Sequence, residues 1–265
     1  MIEENCFTLS MCAFSHTGKI REKNQDNLFF LGRYLEEENK GSEKLLTGHR
    51  SSKKPLLLGV CDGMGGYSMG ERAAYLTVRE MNKAARGGLP GDIRRALVTM
   101  EQICLKSNEL VCRERETEHA KIGTTASMLF LSGKSLGICN IGDSPIFRIR
   151  NGKLETLYME HTERLLKEVL LGREHTRGKK YPLTQHIGLP ASEMLIEPYT
   201  AVSEAEAGDL YLICTDGLTD QVEENEILQI LQKTGTAAEK VRELTRTALA
   251  AGGKDNITII LIQIE

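Results

Sequence analysis

The order of apolar runs predicts an α+β fold in which two sheets pack face to face and helices cover the outside. Three observations carry this expectation. Short, continuous apolar runs at 56–61, 210–214 and 257–264 have the length and composition of strands buried on both faces. Turn signals at Ser132-Gly133-Lys134 and Asn151-Gly152 sit between paired runs and announce antiparallel hairpins. Stretches of helical periodicity come in pairs after the strands, and do not alternate strictly with them.

Taken in order, 6–14 alternates with a period near two and reads as a first strand, followed by a short run at 28–31. Residues 33–54 carry mixed charge, Gly41, Gly48 and a Ser51-Ser52-Lys53-Lys54 end, which predicts a surface loop insert or extended hairpin. A helix is expected over about 68–85, where Ala74, Val78, Met81 and Ala85 recur at helical spacing. A second is expected over about 92–113, with Ile93, Leu97, Met100, Cys104 and Val111 on one side. Hairpin strands follow at 125–131 with 136–141, and at 145–150 with 154–158. Residues 160–181 are charged and lack a sustained period, which predicts a flap with one short helix around 165–170. Two helices are expected after the 210–214 strand, the second opened by the capping box Thr236-Ala237-Ala238-Glu239. Without a repeat or an evident linker, 1–265 is expected to form one domain.

Bulk properties narrow the function classes. The 34 basic and 37 acidic residues leave a net charge of -3, which provides no footprint for nucleic acid. No run approaches the roughly 18 apolar residues of a membrane-spanning helix, and the acidic, polar 1–5 stretch does not read as a signal peptide. Seven cysteines, with no CxxC pair and most inside apolar runs, read as free thiols of a cytoplasmic protein.

Three aspartates stand at strand edges. Asp62 opens Asp62-Gly63-Met64-Gly65-Gly66 after one buried run, Asp216 opens Asp216-Gly217 after another, and Asp255 precedes the last. Each Asp-Gly step alone is compatible with a plain turn. Together, carboxylates at three distant strand edges suggest a site for Mg²⁺ or Mn²⁺, ions that favour oxygen ligands. A glycine beside the carboxylate lets the backbone turn and approach closely.

Several motifs then occur in one order: 18–26 with Arg21, Asn24, Gln25 and Asp26, Asp62-Gly63-Met64-Gly65-Gly66, and Gly123-Thr124-Thr125-Ala126. After these come Asn140-Ile141-Gly142-Asp143-Ser144, Leu183 to Gly188, Gly208-Asp209, Thr215-Asp216-Gly217 and Gly252 to Asn256. In this the chain resembles the PP2C-type metal-dependent protein serine/threonine phosphatases, most closely their compact bacterial form, over nearly its whole length. The resemblance implies a four-layer α-β-β-α sandwich with two antiparallel sheets between helices. It implies hydrolysis of phosphoserine and phosphothreonine in proteins by water activated between two Mn²⁺ or Mg²⁺ ions about 4 Å apart. Asp62 would bridge the ions, Asp216 and Asp255 would complete one, and the Gly63 carbonyl would bind the other. Asp26 and Gln25 would reach the metals through water. Arg21 falls on the phosphate-holding arginine, whose planar fork matches two oxygens of a phosphate dianion. Asn140, Gly142, Asp143, Thr124 and Thr125 read as structural, and Asn256 as orienting Asp255 or capping its turn.

Departures from the family pattern carry their own expectations. Met64 stands where eukaryotic relatives often have a histidine, and it cannot donate a proton. His161 and His186 read as packing or surface residues. Gln25 replaces a frequent glutamate and brings no charge. Ala120 replaces an aspartate that helps hold a third ion, so that ion is expected to be absent or weak. Expected partners are phosphorylated proteins and a cognate serine/threonine kinase with its substrates, with neither nucleic acid nor membrane involved. The alternative is an inactive or weakly active phosphoprotein-binding regulator of the same fold.

Overall fold

The computed structural model describes residues 6–64, 69–164, 167, 168, 172 and 180–265. One sheet contains β1 (Thr8–His16), β3 (Leu46–Ser51), β9 (Ile146–Arg150), β10 (Lys153–Thr156), β12 (Leu210–Cys214) and β13 (Ile257–Ile264), in the order β10-β9-β12-β13-β1-β3. The other contains β2 (Asn27–Phe30), β4 (Leu56–Cys61), β7 (Ala126–Ser132), β8 (Ser135–Ile141) and β11 (Tyr199–Glu204), in the order β11-β8-β7-β4-β2. A small ribbon pairs β5 (Gly63–Met64) with β6 (Gly123–Thr124). The strand pairs are antiparallel, from β1 with β13 to β7 with β8.

Period-two alternation distributes each buried strand between two cores. In β4, Leu56, Leu58 and Val60 enter the core between the sheets. Leu57 and Cys61 enter the core under helices α1 (Gly70–Arg86) and α2 (Ile93–Glu118). In β13, Ile260, Ile262 and Ile264 face the inter-sheet core. Ile257, Ile259 and Leu261 face α4 (Glu224–Gln232) and α5 (Ala237–Ala250), which follow the single turn α3 (Asp216–Thr219). The continuous apolar runs therefore arise because both faces of each sheet are covered. Each fully buried leucine or isoleucine contributes about 1.5–3 kcal/mol of transfer free energy. The result is the expected four layers, helices, sheet, sheet, helices.

Local chemistry sets the element ends. The Asp92 side chain accepts from Arg95 N at 3.0 Å and starts α2. At α5, Thr236 Oγ1 accepts from Glu239 N at 3.2 Å while Glu239 Oε2 accepts from Thr236 N at 2.8 Å, completing the capping box. Asn151 and Gly152 both take positive φ, 50° and 76°, and close the β9–β10 hairpin.

The structure corrects the sequence reading in places. The 33–54 segment, expected as a surface loop or an extended hairpin, contains a strand at 46–51, which pairs antiparallel with β1 at the edge of the six-stranded sheet. Its largely exposed side chains give no apolar run to read. Strand β11 gives little sequence signal for a similar reason, being a partly exposed strand at the sheet edge beside β8. Helix α2 runs on to Glu118, past the expected end near 113. The 160–181 flap and its short helix fall largely outside the described residues. The seven cysteines are free, and burial raises the Cys12 thiol to about 11 and Cys61 well above its ordinary value, which makes both poor nucleophiles. Among the described residues no helix is long and apolar enough to cross a membrane.

Candidate metal centre

The antiparallel pairings bring distant residues to one edge of the sandwich. Strand β4 ends at Cys61, immediately before Asp62, and its partner β2 begins opposite it, since Asn27 pairs with Cys61 and Asp26 is the preceding residue. Strand β7 begins on the same edge after Thr125, and β8 ends there shortly before Asp143. In the facing sheet, β12 ends at Cys214 opposite Ile259 near the start of β13, which places Asp216 and Asp255 side by side. A cleft of about 340 Å³ opens at this edge. Its carboxylates are Asp62, Asp143, Asp216 and Asp255, accompanied by Arg21, Gln25 and Lys180, with Gly63, Met64 and Thr125 on the wall.

The glycines after two of these aspartates serve close approach between strand ends. A Cβ on Gly217 would lie 1.9 Å from the Asn256 carbonyl oxygen. One on Gly63 would lie 2.2 Å from the Gly70 oxygen and 2.4 Å from the Gln25 oxygen. Only glycine lets these backbones meet. Thr124 and Thr125 tie the end of β4 in place: Thr124 Oγ1 and Thr125 N donate to the Asp62 carbonyl, and Asp62 N donates to Thr125 Oγ1 at 2.9 Å. Asn256 helps to orient Asp255, as read in the sequence, since its N–H donates to Asp255 Oδ1 at 3.0 Å, and its side chain does more. Its amide donates to the Thr17 and Lys23 carbonyls at 2.7 and 2.9 Å, and its Oδ1 accepts from Gln25 N, so it staples the loop carrying Arg21, Gln25 and Asp26 to β13.

Asp26 is 2% exposed. Its Oδ2 accepts from Thr215 Oγ1 at 2.8 Å and from Thr258 Oγ1 at 2.7 Å. Burial, with Asp216 and Asp255 nearby, outweighs these two hydrogen bonds and raises the carboxyl to about 7. Asp62 is driven well above the carboxylate range by burial and then by Asp26 and Asp216. Asp143 is raised to about 7 by burial and by Asp216. Asp255 goes the other way. Burial would raise it, but the Lys180 ammonium and the Arg21 guanidinium hold it below its usual value. Lys180 Nζ donates to Asp216 Oδ2 at 2.7 Å and to Asp255 Oδ2 at 2.9 Å, so those two oxygens are no farther apart than the sum of the two contacts.

These residues fit divalent cations. Asp216 Oδ1 is buried without a hydrogen-bond partner, a costly state for an anionic oxygen unless a cation meets it. The carboxylates that raise one another are oxygen donors of the kind Mn²⁺ and Mg²⁺ prefer. Among the described residues no three His, Cys, Asp or Glu side chains form a closed metal-binding group. Two of the carboxylates instead share the Lys180 ammonium.

Most residues expected from the sequence meet here. Arg21, Gln25, Asp62, Gly63, Asp216 and Asp255 line the cleft, and Asp26 is buried beside them. Asn140 and Gly142 are structural, as read: the Asn140 amide donates to the Met159 carbonyl at 2.7 Å, and Gly142 N donates to His161 Nδ1 at 3.1 Å. His161 is thereby a packing residue, with burial lowering its pKa. Ala120 packs against the core beneath α2. Asp209 lies elsewhere, in a two-pronged ion pair with Arg150 at 2.7 Å for each prong. Two charged cleft residues, Asp143 and Lys180, have no site role in the sequence reading. The sequence reading gives Asp143 a structural role, although its position just after a strand, like that of Asp62, is a usable signal. Lys180 had no signal, being one lysine in a charged stretch.

Comparison with known proteins accords with this architecture. The profile of the protein phosphatase 2C family matches residues 45–258. The serine/threonine protein phosphatase PstP of Mycobacterium tuberculosis is 31% identical over 212 residues, covering 78% of this chain but only 40% of that relative. The serine/threonine phosphatase stp of Listeria innocua is 28% identical over 259 residues, covering 93% of this chain and 92% of the relative. Among solved structures, the catalytic domain of PstP in complex with 2 manganese ions superposes with a TM-score of 0.78 at 28% identity, over 97% of this chain and 99% of that one. Staphylococcus aureus Stp1 gives a TM-score of 0.79 at 25% identity, over 96% and 94% of the two chains. Matched by the family profile over well more than half its length, the chain belongs to the protein phosphatase 2C family.

Proposed function

We propose that this chain hydrolyses phosphoserine and phosphothreonine esters in proteins with the help of two divalent cations. The observation that carries the reading is the meeting of Asp62, Asp216, Asp255 and Arg21 in one cleft, from strand ends of both sheets. The named relatives are serine/threonine phosphatases, and one related structure contains manganese, which supports Mn²⁺ or Mg²⁺ as the ions. Asp62, the Gly63 carbonyl, Asp216 and Asp255 would hold them. When bound, such ions supply Lewis-acid activation of water and neutralise charge on the phosphate.

The other roles belong to the chain. Arg21 reaches the cleft from an exposed loop, and its guanidinium offers more donors than its one hydrogen bond to Asp255 uses, so it can also grip phosphate oxygens. Asp26, buried beside the cleft and fixed by two threonine hydroxyls, and Gln25, which lines it, orient water there. Met64 occupies the wall without a proton to give. The leaving oxygen must therefore take its proton from solvent or from another group. Ala120 brings no ligand atom, so a third ion, if taken up, is held weakly. Phosphorylated proteins are the proposed substrates, with a cognate serine/threonine kinase as the opposing activity.

The test is Mn²⁺-dependent hydrolysis of p-nitrophenyl phosphate and of phosphoserine and phosphothreonine peptides, with Asp62→Ala as control. Turnover by the wild type alone supports the reading. No turnover in either protein would leave a phosphoprotein-binding regulator. Much faster turnover of small metabolites than of peptides would move the substrate class away from proteins.

A further inference from the structure

Gln25 is held from three directions. Its N–H donates to Asn256 Oδ1 at 2.8 Å, its carbonyl accepts from Gly63 N at 3.2 Å, and its side-chain Nε2 donates to Glu71 Oε2 at 3.0 Å. Glu71 lies in the first turn of α1, with a side chain 9% exposed, and its other oxygen accepts from Lys23 Nζ at 2.7 Å. Burial alone would raise the Glu71 carboxyl, but the hydrogen bonds from Lys23 and Gln25 hold it below its ordinary value. The preceding residue makes room for the contact, since a Cβ on Gly70 would lie 2.8 Å from Gln25 Nε2.

An ionised carboxylate accepts hydrogen bonds and cannot donate them. The end of the Gln25 amide that meets Glu71 must therefore be the NH₂. The amide cannot flip without setting its carbonyl oxygen against the carboxylate. Oε1 is thus the end of the amide that Glu71 does not engage, on a residue that lines the cleft.

We propose that Glu71 is a positioning residue, which locks the Gln25 amide so that its carbonyl oxygen, and not its NH₂, serves the water around the cations. The inference rests on the proposed metal-dependent reaction. It also gives a reason for glutamine at this position. A glutamate here would set two carboxylates within hydrogen-bonding distance, whereas the Gln25–Glu71 pair keeps one negative charge a step back from the ions and a neutral acceptor in front. Lys23 balances the displaced charge from the solvent side.

The experiment compares wild type with Glu71→Ala, Gln25→Glu and the exchange Gln25→Glu/Glu71→Gln. It measures Mn²⁺ affinity by calorimetry, metal-free melting temperature, and kcat and KM on a phosphopeptide. Glu71→Ala is expected to weaken Mn²⁺ binding about tenfold or more, as loss of a partner behind a ligand shell does, and to lower kcat more than it raises KM. Gln25→Glu is expected to lower the metal-free melting temperature. The exchange restores that temperature, because the amide at position 71 now donates to the carboxylate at 25. The proposal is overturned if a folded Glu71→Ala protein binds Mn²⁺ as wild type does, or if the exchange behaves no better than Gln25→Glu alone. The second comparison stands even if Glu71→Ala does not fold. Failure of the wild type itself to bind Mn²⁺ would count against the metal-dependent reaction, a result distinct from either of these.

Discussion

Arg21 Nη2 donates to Asp255 Oδ2 at 2.9 Å, joining residues 234 positions apart in sequence. The pair sets Arg21, the one arginine of the cleft among the described residues, beside a carboxylate that Lys180 also neutralises. Half of the Arg21 side chain is nevertheless exposed, at 51%, so the guanidinium is held at one corner and accessible at the others. An incoming phosphate dianion can engage it without first breaking a buried ion pair.

Arg21→Ala is therefore expected to cut kcat/KM on phosphopeptides about 10- to 100-fold, the worth of a charge-assisted hydrogen bond or two. Arg21→Lys recovers part of the loss, since an ammonium carries the charge without the planar fork. The melting temperature stays close to wild type, because a solvent-exposed pair contributes little to stability. Steady-state kinetics with a thermal melt checks all three.

Asp62→Asn separates metal binding from folding. Asp62 is driven up by burial and by its carboxylate neighbours, so removing its charge relieves repulsion in the metal-free protein. The metal-free melting temperature is expected to rise, while the further rise caused by Mn²⁺, and Mn²⁺-dependent turnover, are lost. A variant that still gained stability from Mn²⁺ would exclude Asp62 as a principal ligand.

The raised carboxyls make metal binding and stability depend on pH. Asp26 moves from 3.8 to about 7 on burial beside Asp216 and Asp255, and Asp143 moves to about 7 on burial beside Asp216. A carboxyl with a raised folded-state pKa binds its proton more tightly folded than unfolded. Its stabilising contribution is full below about 4 and is lost as pH rises through about 7. The metal-free protein is thus expected to lose stability from these groups between those limits. Mn²⁺ binding, which needs the ionised forms, tightens over the same window and releases protons. Calorimetry in buffers of different ionisation enthalpy counts them, and a proton count of zero at pH 6 would refute the assignment.

Lys180→Met tests the ammonium shared by Asp216 and Asp255. A cation on those carboxylates must displace it, so the variant is expected to bind Mn²⁺ about two- to fivefold more tightly, a modest effect because the lysine is half exposed. Its metal-free melting temperature is expected to fall slightly. Weaker Mn²⁺ binding would mean that Lys180 assists the ions.

Gly217→Ala is a test of architecture. The added Cβ would meet a backbone oxygen of Asn256 at 1.9 Å, and that oxygen cannot swing aside as a side chain could. A loss of about 1–3 kcal/mol is expected, read as a lower denaturation midpoint in urea. The equivalent change at Gly208, where nothing lies within 4 Å of the added carbon, leaves only the strain of its positive φ.

The sequence alone determined the layers and most of the site. Apolar runs with both faces buried, the hairpin at Asn151-Gly152 and the Thr236–Glu239 capping box are local patterns that each segment carries within itself. The ordered motifs placed Asp62, Asp216, Asp255 and Arg21 by resemblance. Tertiary structure decided what depends on distance across the chain. Edge strands β3 and β11 owe their form to the partners they pair with, since their exposed side chains leave no periodic signal. Asn256 acts on a loop more than 200 residues away. The pairing of Gln25 with Glu71, and of Lys180 with two aspartates, exists only once β2, β4, β12 and β13 bring their ends together. Hydrogen bonds and Coulomb forces act over a few ångströms of space, whatever the separation along the chain, and only the folded backbone fixes those distances.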